Sequence, residues 1–313
     1  MPSHFCKIIL LFLAFATALV PVHAAGDAIS PDTRAIERLE RYVYAAVQTG
    51  DPAGRLGKLE TDLLGRRLGR SVSHRASNLN NLVFKGSAGT PSLDMKLNFL
   101  EWKVFHETRT GKLAERVAAL DTSVAGQPST EPLAFRVEQL MQMTLDSGII
   151  SLHPVKVPAG TMFRVKLTEP ISSANVKEGD PISLALASDL LIDRSILVVS
   201  RGAPVIGEVE KVRRGGRFGR SGFIKLLVNN VPGIDSTDIP VRILRLAGSE
   251  LDRKKLGMAA GASVLGYLAM GPVGLVGGAF IKGQDAALPA GTELEIETLT
   301  STQVTGIVVT NGN

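Results

Sequence analysis

An uncharged, glycine-rich segment at residues 256–281 constrains this chain more than any other feature. Its 26 residues (281 − 256 + 1) contain no Asp, Glu, Lys or Arg. A soluble domain seldom needs an apolar run of this length, whereas a membrane or a close helix–helix contact does, because small residues let two backbones approach. The segment is therefore predicted to contact lipid or another copy of the chain. The glycines expected to make this contact are Gly257, Gly261, Gly266, Gly271, Gly274, Gly277 and Gly278.

Three arrangements of residues 256–281 are open. A single membrane span is long enough, since about 20 residues cross a bilayer. It would, however, leave the basic residues 253–255 on the exported side, against the positive-inside rule. Gly271-Pro272 predicts a turn near the middle, so a hairpin that dips into a membrane or joins an oligomer is favoured. The third arrangement is a helix pair buried inside a soluble protein.

The N-terminus predicts export. Lys7 precedes an apolar stretch, and Val22-His23-Ala24 offers the small residues that signal peptidase accepts, so residues 1–24 are predicted to be a signal peptide. An uncleaved anchor helix is the alternative. Cys6 is the sole cysteine and lies in this segment, so no disulfide or thiolate metal site is expected after cleavage. A bacterial protein of the periplasm, or associated with the outer membrane, is predicted.

Helical periodicity dominates residues 31–126. Ser30 is a predicted N-cap, Gly50 a predicted helix end, and Asp51-Pro52 a predicted start of a second helix that Gly65 closes. The pattern returns 61 positions later (100 − 39), and a degenerate copy lies between. We therefore predict a repeated short helix pair that packs against its neighbours. Among the matched positions are Glu40 with Glu101 and Arg55 with Arg116.

These units resemble the short Leu-Glu-rich repeats found in many exported bacterial proteins. The resemblance implies a spacer or a self-associating surface and no chemistry. Residues 127–154 follow as a predicted linker with one short amphipathic helix at Leu133–Leu145.

Residues 155–247 change to a period of two and predict a β domain. About six short strands, such as Met162–Leu167, suggest a small barrel or sandwich. The phrase Pro-Ala-Gly-Thr at 158–161 returns at 289–292. Residues 286–300 are therefore predicted to be a final β strand that returns to the β domain after the inserted hairpin. The predicted fold class is α+β.

Residues 155–300 resemble a family of exported bacterial β proteins whose layout is similar to the C-terminal barrel of the VirB10/TrbI secretion-channel family. That resemblance implies a helical hairpin where residues 256–281 lie, and assembly into an oligomeric channel. Unlike that family, this chain is expected to have neither a long proline-rich linker nor an N-terminal inner-membrane helix. The matching positions are Gly160-Thr161, Ser172-Ser173, Gly179, Gly202-Ala203 and Ile206-Gly207.

No catalytic, cofactor-binding or metal-ligating pattern is found in the sequence, and no cofactor is predicted. The net charge of +5 is mild. A cluster of arginines in a predicted hairpin tip suggests contact with anionic lipid headgroups or cell-wall polymer, with a solvated loop as the alternative. Nucleic acid is not expected, because Phe218 is the only aromatic residue in the tip. The arginines are Arg213, Arg214, Arg217 and Arg220.

Three functions follow in order of preference. The first is a non-enzymatic envelope protein that attaches to membrane lipid, or to itself as a homo-oligomer, through residues 256–281. In this function the helical repeats meet an envelope protein or cell-wall polymer. The second is an oligomeric channel or secretion-apparatus component. The third is a cell-wall-acting enzyme, which the absence of a catalytic motif disfavours.

Overall fold

The computed structural model describes four stretches of the chain, residues 30–87, 89–216, 221–246 and 285–309. Within them the chain is α+β, as the sequence predicts, with helices first and antiparallel strands after. Among the described helices, none combines the length and the apolar character that crossing a bilayer requires. The predicted signal peptide and the predicted hairpin lie outside the described residues.

The helical region begins at Pro31 and ends at Thr144. Four of its helices start at a Ser or Asp N-cap whose side chain accepts a hydrogen bond from the backbone N–H three residues on, which satisfies a donor that the helix leaves free. The helices are α1 Pro31–Tyr44, α2 Pro52–Leu64, α3 Val72–Asn80 with a π-helical turn Asn81–Lys85, α4 Leu93–Phe105, α5 Leu113–Ala125 and α6 Leu133–Thr144.

Both predicted ends of α2 are confirmed, with Asp51 as N-cap and Gly65 as a left-handed C-cap at φ 72°. The predicted end of α1 is wrong. That helix stops at Tyr44, Ala45 takes the left-handed conformation at φ 59°, and Gly50 lies in the following loop. The loop departs early because the backbone N–H of Gln48 turns back to donate to the buried Glu40 carboxylate, at 3.1 Å.

A buried carboxylate in each of α1, α2, α4 and α5 organises the loop that follows the helix. Glu101 accepts two hydrogen bonds from Arg116, fifteen residues on, at 2.9 and 2.7 Å. It also accepts one from the backbone N–H of Arg109, eight residues on, at 2.8 Å. The same set of contacts occurs four times, so the apolar faces of successive helices are held in one register. The ion pairs are Glu40–Arg55, Glu60–Arg75, Glu101–Arg116 and Asp121–Arg136.

The division at residues 127–154 differs from the prediction. Helix α6 packs into the helical core through Val137, Leu140 and Met141, and Arg136 pairs with Asp121. It therefore belongs to the helical region and is not part of a linker. The first strand also begins earlier than predicted, at Leu152, because it pairs with the last described strand of the chain.

The β region contains strands that are all paired antiparallel. Their alternating burial places one face of each long strand in a core and the other in solvent. The strands are β1 Leu152–Val157, β2 Met162–Leu167, β3 Ile171–Ser172, β4 Pro181–Leu186, β5 Leu190–Ile192, β6 Ile196–Val199, β7 Pro204–Arg213, β8 Phe223–Leu227, β9 Asn230–Pro232, β10 Asp238–Leu246, β11 Ala287–Leu288, β12 Glu293–Thr298 and β13 Thr302–Val308.

Seven strands form one curled sheet in the order β8-β7-β4-β2-β12-β10-β9. Its two outer strands, β8 and β9, are separated in the chain by Val228 and Asn229 alone. The backbone N–H of Val241 on β10 donates to the Asn229 carbonyl at 2.9 Å. The chain 223–232 therefore pairs with β7 at one edge and with β10 at the other, which brings the curled sheet round on itself.

A second sheet, in the order β1-β13-β6-β5, lies between the helices and the curled sheet. Strand β6 is buried along its whole length. Leu197 on β6 and Ile307 on β13 join the helical core, whereas Val198 and Val304 from the same strands join the core of the curled sheet. The sheet therefore contributes to both cores, and β6 is apolar on both of its faces.

The two Pro-Ala-Gly-Thr phrases form equivalent turns. Gly160 and Gly291 both have φ 81°, which Gly adopts without strain. The turns precede the antiparallel neighbours β2 and β12, which confirms residues 293–298 as a strand. The prediction that this strand is the last is wrong. Strand β13 follows it, because β1 and β6 supply partners on both sides.

Candidate functional site

Four strands meet at one end of the curled sheet, which we call the exit end. Here β2 finishes at Leu167, β7 at Arg213 and β10 at Leu246, and β12 begins at Glu293. The pairing register puts them together, since Lys166 lies opposite Glu293 and Leu246 opposite Leu294. The described residues stop at Leu246, at this end of the sheet, and resume at Asp285. The two flanks of residues 247–284 are therefore Leu246 and Asp285.

Asp285 fixes the re-entry point at the exit end. Its Oδ1 accepts a hydrogen bond from the backbone N–H of Gly215 at 2.7 Å and one from the Ser173 hydroxyl at 3.0 Å. The buried Ser173 hydroxyl also accepts a hydrogen bond from the Ala286 N–H at 3.0 Å. The backbone N–H of Ser173 donates to the Ala286 carbonyl at 2.8 Å. The chain that enters β11 is thereby attached to the loop between β7 and β8.

Close packing at this attachment requires a glycine at position 222. A Cβ there would lie 2.6 Å from the Ser173 Oγ and 2.8 Å from the Ala286 nitrogen. Neither Asp285 nor Gly222 is indicated by a local sequence pattern, because their partners lie far away in the chain. Ser172-Ser173 was selected only as part of a family layout, and its contact with Asp285 depends on the tertiary fold.

Two of the four predicted surface arginines lie within the described residues, and both are exposed at the exit end. Arg213 is the last residue of β7; its guanidinium lies 4.8 Å from the centre of the Phe223 ring and donates to the Ser221 carbonyl at 3.2 Å. Arg214 follows it. Arg217 and Arg220 lie outside the described residues. So do the seven glycines predicted to make the lipid or oligomer contact.

The outward face of the curled sheet carries cross-strand ion pairs between β10 and β12. Arg245 on β10 donates to Glu295 on β12 at 2.5 Å, and Arg242 donates to Glu297 at 2.7 Å. The hydrogen bond and charge of Arg245 hold the pKa of Glu295 below its usual value, and Arg164 adds to the effect. These charges suit a face in contact with water, so the basic hairpin end differs from the charge-balanced face beside it.

No family model and no curated protein matches this chain. A solved structure of ComB10, from the Com type IV secretion system of Helicobacter pylori, is similar at 13% sequence identity with a TM-score of 0.26. That similarity covers 47% of this chain and 88% of the ComB10 chain. The resemblance of residues 155–300 to the VirB10/TrbI family stays a prediction.

Proposed function

We propose that this chain is a non-enzymatic protein of the bacterial envelope, which attaches to a membrane or assembles with other copies through residues 256–281. The single observation that supports this function is the common position of the two flanks. Leu246 leaves the curled sheet opposite Leu294, and Asp285 returns to the same end beside Gly215. An insertion whose ends start and finish at one end of a domain suits a hairpin better than a single membrane span.

The charges around this end suit an anionic lipid surface. Arg213 and Arg214 are exposed there, and in sequence the apolar segment is flanked by basic residues at 253–255 and by Lys282. An apolar hairpin that enters a bilayer places flanking cations among the headgroups, where each contributes about 1 kcal/mol next to anionic lipid. In this function the helical region projects as a spacer or as a partner surface for an envelope protein or cell-wall polymer.

Fractionation of cells tests the attachment. The expected result is that the intact chain sediments with envelope membranes after a salt wash. A variant in which a short Gly-Ser linker replaces residues 256–281 is expected in the soluble exported fraction. The linker preserves the connection between Leu246 and Asp285, so the β region keeps its pairing. If the linker variant stays with the membranes, the segment is not the attachment site.

The alternative function is an oligomeric channel or secretion-apparatus component, in which several copies place residues 256–281 around a common axis. Cross-linking of the detergent-extracted protein, followed by mass measurement, separates the two functions. A closed ring of defined copy number favours the channel. A monomer that binds detergent or vesicles through the segment favours simple attachment.

A further inference from the structure

A cavity of about 340 Å³ lies at the junction of the helical region and the β region, away from the exit end. Small-molecule sites commonly occur at such junctions and have volumes of this order. Side chains from α1, α4 and α5 line it on one side, and the turns after β6 and β9 line it on the other. Its polar lining includes Tyr42, Asp94, Asn98, Arg116, Ser200 and Ser236.

Asp94 is the acidic group of this cavity. Its Oδ1 accepts from the Asn98 amide at 3.1 Å, and its Oδ2 accepts from the Ser236 hydroxyl at a long 3.4 Å. Burial raises the pKa of Asp94, and the charge of Arg116 opposes part of this rise. A half-buried carboxylate with few hydrogen bonds is stabilised when a cation or a strong donor reaches it.

Two further features indicate that the polar network is incomplete. The Tyr42 hydroxyl is buried beside Asp94, yet it makes no hydrogen bond of acceptable geometry within the described part of the chain. Ser236, whose hydroxyl faces Asp94, has φ 63°, a conformation that non-glycine residues seldom adopt. Unsatisfied buried groups and strained backbone occur together more often at binding sites than elsewhere.

The lining also carries positive charge. Arg116 already donates to Glu101 and Asn98. Arg41 and Arg109 are exposed and line the same cavity, and Arg109 lies 3.5 Å from the centre of the Phe105 ring. The cavity therefore offers one half-buried carboxylate and two exposed guanidinium groups.

We propose that this cavity binds a small zwitterion, an amino acid or a dipeptide, whose ammonium group meets Asp94 and whose carboxylate meets Arg41 and Arg109. The pairing is complementary in charge. The Ser236 hydroxyl is a further acceptor for the ammonium group, and the guanidinium groups suit a planar carboxylate. The site is independent of residues 256–281 and of any membrane attachment.

Titration calorimetry with the full chain and the dipeptide Ala-Ala tests this site. Binding with a dissociation constant of about 1 mM or tighter is expected. Propionate, which has only the carboxylate, and ethylamine, which has only the ammonium group, are expected to bind at least about tenfold more weakly, since each loses one charge-assisted contact. Absence of Ala-Ala binding overturns the proposal. Equal binding of propionate overturns it too, because it would indicate a plain anion site.

Variants assign the contacts. Asp94→Asn and Arg109→Gln are each expected to weaken Ala-Ala binding about tenfold or more. Arg38→Gln is the matched control for Arg109→Gln, since Arg38 is also exposed and lies 3.9 Å from the Phe84 ring centre. Arg38→Gln is expected to leave binding unchanged. If Asp94→Asn and Arg109→Gln bind like the unsubstituted chain while remaining folded by circular dichroism, the proposed site is wrong.

Discussion

At the scale of single residues, buried charge organises the helical region. Glu101 is fully buried, and Arg116 satisfies both of its oxygens. Burial alone would lower the pKa of Arg116, but the hydrogen bonds and the charge of Glu101 outweigh it, so the pKa is raised. Such a pair contributes little net stability compared with an apolar pair, yet losing one partner leaves the other charge buried and uncompensated.

Glu101→Gln is expected to lower the free energy of unfolding by about 3 kcal/mol, because it leaves Arg116 without its counter-charge. Urea unfolding followed by circular dichroism measures this loss. The control is Glu115→Gln, which breaks the exposed pair with Lys112. That change is expected to cost about 0.5 kcal/mol or less. Equal losses in the two variants would show that the buried pair does not hold the loop.

The raised pKa of Asp94 predicts that the stability of the folded chain depends on pH. Its pKa is raised in the folded chain, so the unfolded chain binds fewer protons between the two pKa values. The contribution of Asp94 is fully present below the ordinary pKa of 3.8 for this carboxyl and is lost as the pH rises through the raised pKa. The stability of the unsubstituted chain relative to Asp94→Asn should therefore increase as the pH falls from 7. A difference that is constant across this range contradicts the raised pKa.

At the scale of elements, the loop between α4 and α5 is hydrogen-bonded to the turn between β6 and β7. The Thr108 N–H donates to the Arg201 carbonyl at 2.7 Å, and the Thr108 and Ser200 hydroxyls bond to each other. The Trp102 indole donates to Asp189 at 2.9 Å. The helical and β regions therefore meet through specific hydrogen bonds as well as through their shared apolar core.

Gly202→Ala is expected to destabilise this junction. Gly202 has φ 79°, and an added Cβ would lie 2.3 Å from the Thr108 carbonyl oxygen. Gly179→Ala is the control, since Gly179 has φ 84° but nothing within 4 Å of the added atom. The control should lose about 1 kcal/mol from backbone strain alone. Gly202→Ala should lose at least about 1 kcal/mol more in thermal unfolding. Equal losses would mean that the Thr108 backbone moves away from the added Cβ without lowering the stability of the chain.

Local signals predicted the elements that depend on local chemistry. Ser30, Asp51 and Pro52 marked helix starts because capping acts within one turn. The alternation at Met162–Leu167 marked β2 for the same reason. Strand β13 was missed because its partners β1 and β6 lie more than a hundred residues away, and its threonines and glycine make its own pattern weak.

The candidate sites were less accessible to sequence reasoning. Arg213 and Arg214 could be selected because neighbouring arginines form a visible cluster. Asp285 and Asp94 could not be selected, since their roles depend on Gly215 and Ser236, which are distant in sequence. Glu101 and Arg116 were recognised as recurring positions, but their contact with each other is visible only in the folded chain.

At the scale of the whole molecule, the helical region and the exit end lie in different layers of the fold. The helices lie on one side of the shared four-stranded sheet, and the curled sheet lies on the other. The exit end belongs to the curled sheet, with the basic hairpin and both flanks of residues 247–284. In the proposed function the exit end meets a membrane or another copy, and the helical region meets a partner.

Flotation with lipid vesicles tests this account most directly. The purified chain after signal removal is expected to float with vesicles that contain anionic lipid, and less with neutral vesicles. The linker variant that lacks residues 256–281 is expected to remain at the bottom of the gradient. The double variant Arg213→Gln and Arg214→Gln should bind anionic vesicles more weakly, whereas the control Lys103→Gln and Lys156→Gln should not. Equal flotation of the intact chain and the linker variant would contradict attachment through this segment.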